Sequence, residues 1–318
     1  MENISALVTG GAGFIGSSIV NKLLKKGWEI SIVDNFSTSS NKSIIRNRSY
    51  LKEATELIEF DISNPKIKDV LSGKRFDYIF NFGSYSSDRS YEKDPIDGTN
   101  KTINGMLNIV QIAKQCNASK IIYPSSGTVY GNTPAPQIET QTLQPQTLYA
   151  ITKIYLELLS KINKDVSMVG LRIFTGFGAM EVLKGNLSSV VTKFTLSVLN
   201  NAPVELYGDG EQKRDFIEVE DIAEIAYRSA LNNNIPEIVN VGTGSSYSFN
   251  ALIDLIAKHA GTEPIVKHVE SKTRFVLETR ADISIISGLL DYTPAVLPVA
   301  YSKYFKELKQ LDYNSLIS

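Results

Sequence analysis

The run Tyr149-Ala150-Ile151-Thr152-Lys153 sets a phenol and an ammonium four residues apart, a spacing that puts both on one face of a helix. A phenol titrates near ~10 and is a poor base at neutral pH unless a neighbouring cation stabilises the phenolate. Lys153 is the candidate cation. The same spacing also occurs on ordinary helix surfaces, where both side chains simply face water. Upstream, Tyr123-Pro124-Ser125-Ser126-Gly127-Thr128-Val129-Tyr130-Gly131 closes a strand-like run. Hydroxyl residues at the carboxyl end of a parallel strand stand where open α/β sheets bind ligands. Ser126 could hydrogen-bond a substrate oxygen that gains or loses a proton; a Ser/Thr-rich turn is the plain alternative.

A second signal lies near the start, in Thr9-Gly10-Gly11-Ala12-Gly13-Phe14-Ile15-Gly16. Gly10, Gly13 and Gly16 recur at every third position. Such a turn lets the backbone bend tightly and approach a pyrophosphate, while the following helix presents free N–H groups and the positive end of its dipole. Glycines also serve tight turns for steric reasons alone, but this string closes a strand and opens a helix, as the dinucleotide motif requires. Asp34 ends the next strand, 21 positions beyond Gly13. There a carboxylate can accept both ribose hydroxyls and would repel a 2′-phosphate. No basic residue follows in Asn35-Phe36-Ser37-Thr38-Ser39, so NAD is expected over NADP. Asp34 as a turn or cap residue is the alternative. Asn35 belongs to the same candidate site, and Asp61-Ile62, after the third strand, could reach an adenine or cap a turn.

These residues need a scaffold of alternating strands and helices. Ile4–Thr9, Glu29–Asp34, Leu57–Asp61, Tyr78–Phe82 and Lys120–Ser125 read as strands, dense in Ile, Val, Phe and Tyr as strands buried between helix layers should be. Phe14–Lys26 carries Ile15, Ile19 and Leu23 at helical spacing, and Thr102–Gln115 carries Ile103, Leu107 and Val110. Repeated strand–helix–strand units pair in parallel through right-handed crossovers, which makes a Rossmann-like, doubly wound parallel sheet of the α/β class. After about Phe174 the elements shorten: helices at Ser188–Leu199, from about Asp221, Asn250–Ala260 and about Val299–Leu311, with strands at Val204–Tyr207, Phe216–Val219 and Ile238–Val241. The expectation is a cofactor domain over 1–174 and a smaller, mainly substrate-binding α/β lobe over 175–318, with some chain crossing back.

The chain has 318 residues, 33 basic and 34 acidic side chains, 42% hydrophobic residues and a single cysteine. A net charge of −1 gives no global field for nucleic acid or an anionic membrane. Cys116 alone cannot form an internal disulfide, and with only His259 and His268 a Cys/His zinc site lacks ligands, so no metal is expected. The apolar runs fall short of the ~20 residues a membrane helix needs. Met1-Glu2-Asn3 leads into Ile4 without a basic leader. A soluble, cytoplasmic protein is expected.

Taken in order, GGAGFIG, the acidic end of the second strand, SSGTVYG, YAITK, LRIFTGFG, YGDGEQKRDFIEVEDIA and NVGTG resemble the extended short-chain dehydrogenase/reductase family, in its NAD-dependent sugar epimerase/dehydratase branch. The similarity runs from about Leu7 to Leu311. It implies Tyr149 as the acid/base, Lys153 as the residue that lowers its pKa and holds the nicotinamide ribose, and Ser126 as the catalytic hydroxyl. It assigns Gly10, Gly13, Phe14, Ile15, Asp34, Asp61 and Ile62 to NAD. In the second lobe it implies that Asn186-Leu187 and Arg214 meet the diphosphate of a nucleotide sugar, which suits Arg because its fork matches phosphate oxygens. An ion pair of Arg214 with Asp215 or Glu218 is the alternative. Arg280 is the second candidate phosphate ligand, with Arg274 its rival. Relatives of this kind form homodimers through a helix bundle, here the helices around Ile103–Gln115 and Tyr149–Ser160; Leu156 and Leu159 fit that face or an ordinary core.

The sequence also departs from the family pattern. Gly127-Thr128 stands where nucleotide-sugar dehydratases carry the Asp-Glu that removes water, and the related decarboxylases need the Glu. Asn81-Phe82-Gly83-Ser84 replaces the usual His-x-Ala-Ala/Gly, Thr102 and Thr175 replace Asn, and the loop with Asp88 and Arg89 is unusually charged. These changes gather around the sugar pocket and spare the NAD turn. The expected activity is epimerisation of a nucleotide sugar of the UDP-hexose 4-epimerase type. The alternatives are an NAD-dependent reductase or dehydrogenase of a keto-sugar nucleotide, and a non-catalytic NAD-binding protein.

Overall fold

The computed structural model describes residues 4–37, 48–270 and 276–311. Seven parallel strands form the central sheet: β1 (Ser5–Thr9), β2 (Glu29–Asp34), β3 (Glu56–Glu59), β4 (Tyr78–Asn81), β5 (Lys120–Ser126), β6 (Ser167–Ile173) and β7 (Ile238–Val241). Their spatial order is β7-β6-β5-β4-β1-β2-β3. The order reverses between β1 and β4, which opens a crevice at their carboxyl ends, where doubly wound folds bind ligands. The expected Rossmann-like α/β fold is therefore present.

Strand side chains alternate between two cores. Ala6, Val8, Ile30, Ile32, Phe80 and Ile122 face one layer, closed by α1 (Phe14–Lys25) and α4 (Val219–Leu231). Leu7, Val33, Ile79, Ile121 and Tyr123 face the other, closed by α2 (Pro95–Cys116) and α3 (Leu148–Ile162). A helix on each face explains why these strands are apolar on both sides. Helix α2 starts seven residues earlier than its apolar pattern predicts, because Asp94 caps it, accepting the Asp97 amide, and Pro95 fits the first turn. Its buried stripe also differs from the Ile103–Leu107–Val110 reading: Leu107 is exposed, while Thr102, Met106, Ile109 and Val110 face inward. The helix turns this way because Gly105 lies against Ile62 and Asn108 Nδ2 donates to the Ile62 carbonyl at 2.9 Å.

Beyond β6 the chain leaves the sheet and builds a third core around Phe177, Phe194, Phe216, Tyr301 and Tyr304. Strand Phe216–Glu218 pairs with Thr175–Phe177, and Tyr247–Ser248 pairs antiparallel with Lys213–Arg214. Between these, β7 returns to pair with β6. The tail helix covers Leu297–Gln310. Among the described residues no helix is long and apolar enough to cross a membrane.

Candidate active site

The glycine turn is held by contacts that admit no side chain. Gly10 has φ +65°, and a Cβ there would lie 2.5 Å from the Phe82 carbonyl oxygen. On Gly16 it would lie 2.0 Å from the Gly10 carbonyl oxygen. Gly13 precedes α1 in extended conformation, and Phe14 and Ile15 open the helix. A cavity beside this turn is lined by Gly10, Gly13, Asp34, Asn35, Asp61, Ile62, Ser84 and Lys101, among others. Asp34 accepts the Ala12 amide at 2.9 Å and the Phe36 amide at 2.8 Å. It is thus the turn residue of the plainer reading, yet a carboxylate with ~4 acceptor positions can still take ribose hydroxyls. Burial pushes its carboxyl up, opposed by the backbone amides. Asn35 Nδ2 donates to Asp61, whose other oxygen accepts the Ser63 amide and hydroxyl. The clearance at Gly10 and Gly16, the carboxylate of Asp34 and the cavity beside them fit NAD. Thr38 and Ser39, part of the argument against NADP, lie outside the described residues.

The second cavity, of about 290 Å³, opens where β5 and β6 end. Asp88, Ser126, Thr128, Thr147, Thr175 and Arg214 line it. Ser126 ends β5 and accepts the Thr128 amide and hydroxyl, at 3.2 and 3.0 Å. Tyr149 is buried on the first turn of α3, which Thr147 caps by accepting the Ala150 amide. Burial pushes the Tyr149 phenol well above its ordinary range; a hydrogen bond with Ser126 pulls it back, and the charge of Asp88 raises it. Lys153 is fully buried, with Nζ 5.3 Å from the Tyr149 ring centroid and 3.3 Å from Ser84 Oγ. Burial lowers its ammonium to about 7. In the protein by itself Ser126 is the group that favours the Tyr149 phenolate, and Lys153 is not among the groups that shift it. Ser84, one of the family departures, serves here as the lysine's acceptor.

A buried network fixes these strand and helix ends. Glu157 on α3 pairs with Arg172 on β6 at 2.7 Å and accepts the Ser125 hydroxyl at 2.5 Å. Arg172 also donates to Tyr130 Oη, which donates to Asn240 on β7. Thr102, unusual for the family, joins Tyr91, whose hydroxyl also accepts from Thr152.

Arg214, on the short strand Lys213–Arg214, lines the same cavity. It pairs with neither Asp215 nor Glu218 but donates to the carbonyls of Lys213 and Val276, at 2.7 and 2.9 Å. Asp215 is already satisfied by Thr243, Gly244 and Ala281. Burial without a carboxylate lowers the guanidinium to about 10, which leaves a desolvated cation facing a cavity. Asn186 and Leu187 sit outside this lining, at the end of the 3-10 stretch Ala179–Leu187, where the Asn186 carbonyl accepts from Arg89 at 2.8 Å. The side chain of Arg280 pairs with Glu278 at 3.3 Å. Arg274 lies outside the described residues. Lys101 and Thr147 were missed in the sequence: Lys101 lacks any local signal, whereas Thr147 could have been found as a Thr cap three residues before Ala150.

This arrangement defines a Rossmann-like α/β fold with a phenol, a lysine and a hydroxyl at its crevice. A sequence profile of the NAD dependent epimerase/dehydratase family matches residues 6–242, and the chain belongs to that family. It is 31% identical over 261 residues to a putative UDP-glucose 4-epimerase of Methanocaldococcus jannaschii, covering 80% of this chain and 82% of that one. The UDP-N-acetylglucosamine 4-epimerase of Methanobrevibacter ruminantium, solved with UDP-N-acetylmuramic acid, superimposes with a TM-score of 0.87 at 29% identity over 98% of both chains. The Thermotoga maritima UDP-glucose 4-epimerase, solved with UDP-glucose, gives 0.83 at 28% identity over 96% and 99%. The protein is thus an enzyme of the NAD-dependent sugar epimerase/dehydratase branch, as the motifs implied, with NAD as its cofactor.

Proposed function

We propose that the protein interconverts a nucleotide sugar and its C4 epimer, with UDP-hexoses as the favoured substrates. The observation that carries this reading is the cavity lined by Ser126, flanked by Tyr149, and by the guanidinium of Arg214, which has no carboxylate partner among the described residues. The amides of Phe14 and Ile15 in the first turn of α1 would hold the cofactor's pyrophosphate, with Gly10 and Gly13, whose own amides donate to the Val33 and Gly10 carbonyls, giving it room to approach. Asp34 would hold its ribose, Asp61 and Ile62 its adenine, and Lys153 the nicotinamide ribose. NAD⁺, when bound there, would supply a hydride acceptor and donor for C4 of the sugar. Tyr149 takes the C4 hydroxyl proton and returns it, while Ser126 hydrogen-bonds the same oxygen as its charge changes. Arg214 would grip the diphosphate, so that the 4-keto sugar turns without escaping. Asn186-Leu187 and Arg280 are proposed as further diphosphate contacts.

Elimination of water needs an acid and a base, and Gly127 and Thr128 supply neither carboxylate. Among the described residues Asp88 is the single acidic residue lining the cavity. Likeness to the M. jannaschii and T. maritima proteins also favours epimerisation. Incubation with UDP-glucose or UDP-galactose, followed by the anomeric NMR signals, tests the proposal. Conversion without accumulating NADH supports it; stoichiometric NADH would favour the dehydrogenase reading, and loss of carbon dioxide or water from a sugar nucleotide would defeat it.

We also propose a homodimer through α2 and α3. Leu156 and Leu159 pack into the protein's own core. Leu148, Ile151, Tyr155, Leu158 and Ile162 instead form an exposed apolar row along α3, with Leu107 exposed on α2. A contiguous apolar face of this kind marks an association surface.

A further inference from the structure

Asp88 is an acidic side chain in the wall of a cavity that the proposed function assigns to a sugar. It opens the short helix Asp88–Lys93, reached from the end of β4 by the loop 82–87. It lines the same cavity as Ser126, Thr175 and Arg214. Thr147 Oγ1 donates to Asp88 Oδ1 at 2.5 Å, and the same hydroxyl accepts the Ala150 amide. Asp88 is thereby tied to the cap of the helix that carries Tyr149, and it lies close enough for its charge to act on that phenol. Its other carboxylate oxygen accepts from no donor among the described residues. Arg89, the adjacent cation, points away to the Asn186 carbonyl. The charged group that acts on Asp88 most directly is another acid, Glu92.

We propose that Asp88 is a specificity-determining residue: it accepts a hydrogen bond from a donor on the sugar, a hydroxyl or an amino group, and disfavours sugars that carry a carboxylate. This rests on the nucleotide-sugar reading above and deepens it. An ionised carboxylate only accepts hydrogen bonds. Facing a sugar hydroxyl or ammonium it gains a partner. Facing a sugar carboxylate it meets a second acceptor of like charge in a partly desolvated site, where repulsion is stronger than in water. Discrimination thus comes from a repulsive element as well as an attractive one. Thr147 contributes by fixing the carboxylate, so that rotation away from an unwelcome group would break a short hydrogen bond.

The test is calorimetric titration of the NAD-loaded protein with UDP-glucose, UDP-glucosamine and UDP-glucuronate. The expected wild-type result is UDP-glucuronate at least tenfold weaker than UDP-glucose, with UDP-glucosamine at least as tight as UDP-glucose. In Asp88→Asn, and in Asp88→Ser, which keeps an acceptor for Thr147, the glucuronate gap should close to within about threefold. Equal wild-type binding of glucose and glucuronate overturns the proposal without any variant. A ratio unchanged in both variants overturns it too. If the ratios behave as expected but no sugar is epimerised, the activity reading fails and the role of Asp88 stands; binding of none of the three overturns both.

Discussion

The Lys153 ammonium lies 5.3 Å from the ring centroid of Tyr149 and donates to Ser84 Oγ at 3.3 Å. Burial lowers Lys153 to about 7, whereas in an unfolded chain a lysine keeps its proton up to ~10.4. Between those values the unfolded state binds more protons, so this group's contribution to stability rises with pH from about 7 towards ~10 and is least favourable below that window. Lys153→Met removes the contribution. Urea midpoints of the cofactor-free protein, measured across that range, should show the variant's advantage shrinking as pH rises. A difference independent of pH would remove the assignment.

Tyr149→Phe keeps the ring, and with it the contacts to Tyr91 and Lys153, but deletes the proton carrier. Acid–base groups of this kind contribute about 10²–10⁴-fold. Turnover should fall by that factor while NAD stays bound, as read by mass spectrometry of the purified protein. Full activity would exclude the role.

Gly16→Ala sets a Cβ 2.0 Å from the Gly10 carbonyl oxygen and 3.0 Å from Gly11 Cα. Those are backbone atoms and cannot swing aside, so a cost of about 1–3 kcal/mol is expected. Thermal melting should drop and retained NAD should fall. Unaltered melting together with full NAD retention would show that the turn relaxes.

Glu157→Gln leaves Arg172 buried without its carboxylate. Breaking one partner of a buried pair costs roughly 3–5 kcal/mol. Denaturant unfolding measures this directly, and because Ser125 also bonds Glu157, activity should decline as Ser126 loses its footing.

Leu158→Glu places a charge in the exposed apolar row of α3. Light scattering should then report a monomer where the wild type is a dimer, with the NAD site intact. A wild-type monomer would refute the proposed interface outright.

The parts of this site readable from sequence are those built by neighbours along the chain. Gly10, Gly13 and Gly16 announce themselves because a tight turn is a local event, and Tyr149 and Lys153 because helical spacing is. Contacts that join distant residues left no such trace: Thr147 and Asp88 are 59 positions apart, Lys153 and Ser84 are 69. The inward face of α2 was misjudged because apolar counting overlooks Gly105 and Asn108, which face inward for close approach and for a hydrogen bond. An ion pair was the alternative for Arg214 because acids flank it in sequence, yet Asp215 spends its oxygens on backbone amides elsewhere.

The return of β7 to the sheet bears on how the protein is made. Asn240, which receives the Tyr130 hydroxyl and so completes the chain of bonds from Ser125 through Glu157 and Arg172, emerges long after the glycine turn. During synthesis, N-terminal segments emerge first and begin to fold first. A growing chain can therefore shape its nucleotide crevice while β6 still lies at an open edge. The floor under Ser126 and Tyr149 is complete only with residues 238–241 paired to β6, so the reaction centre draws on later sequence than the cofactor cleft does.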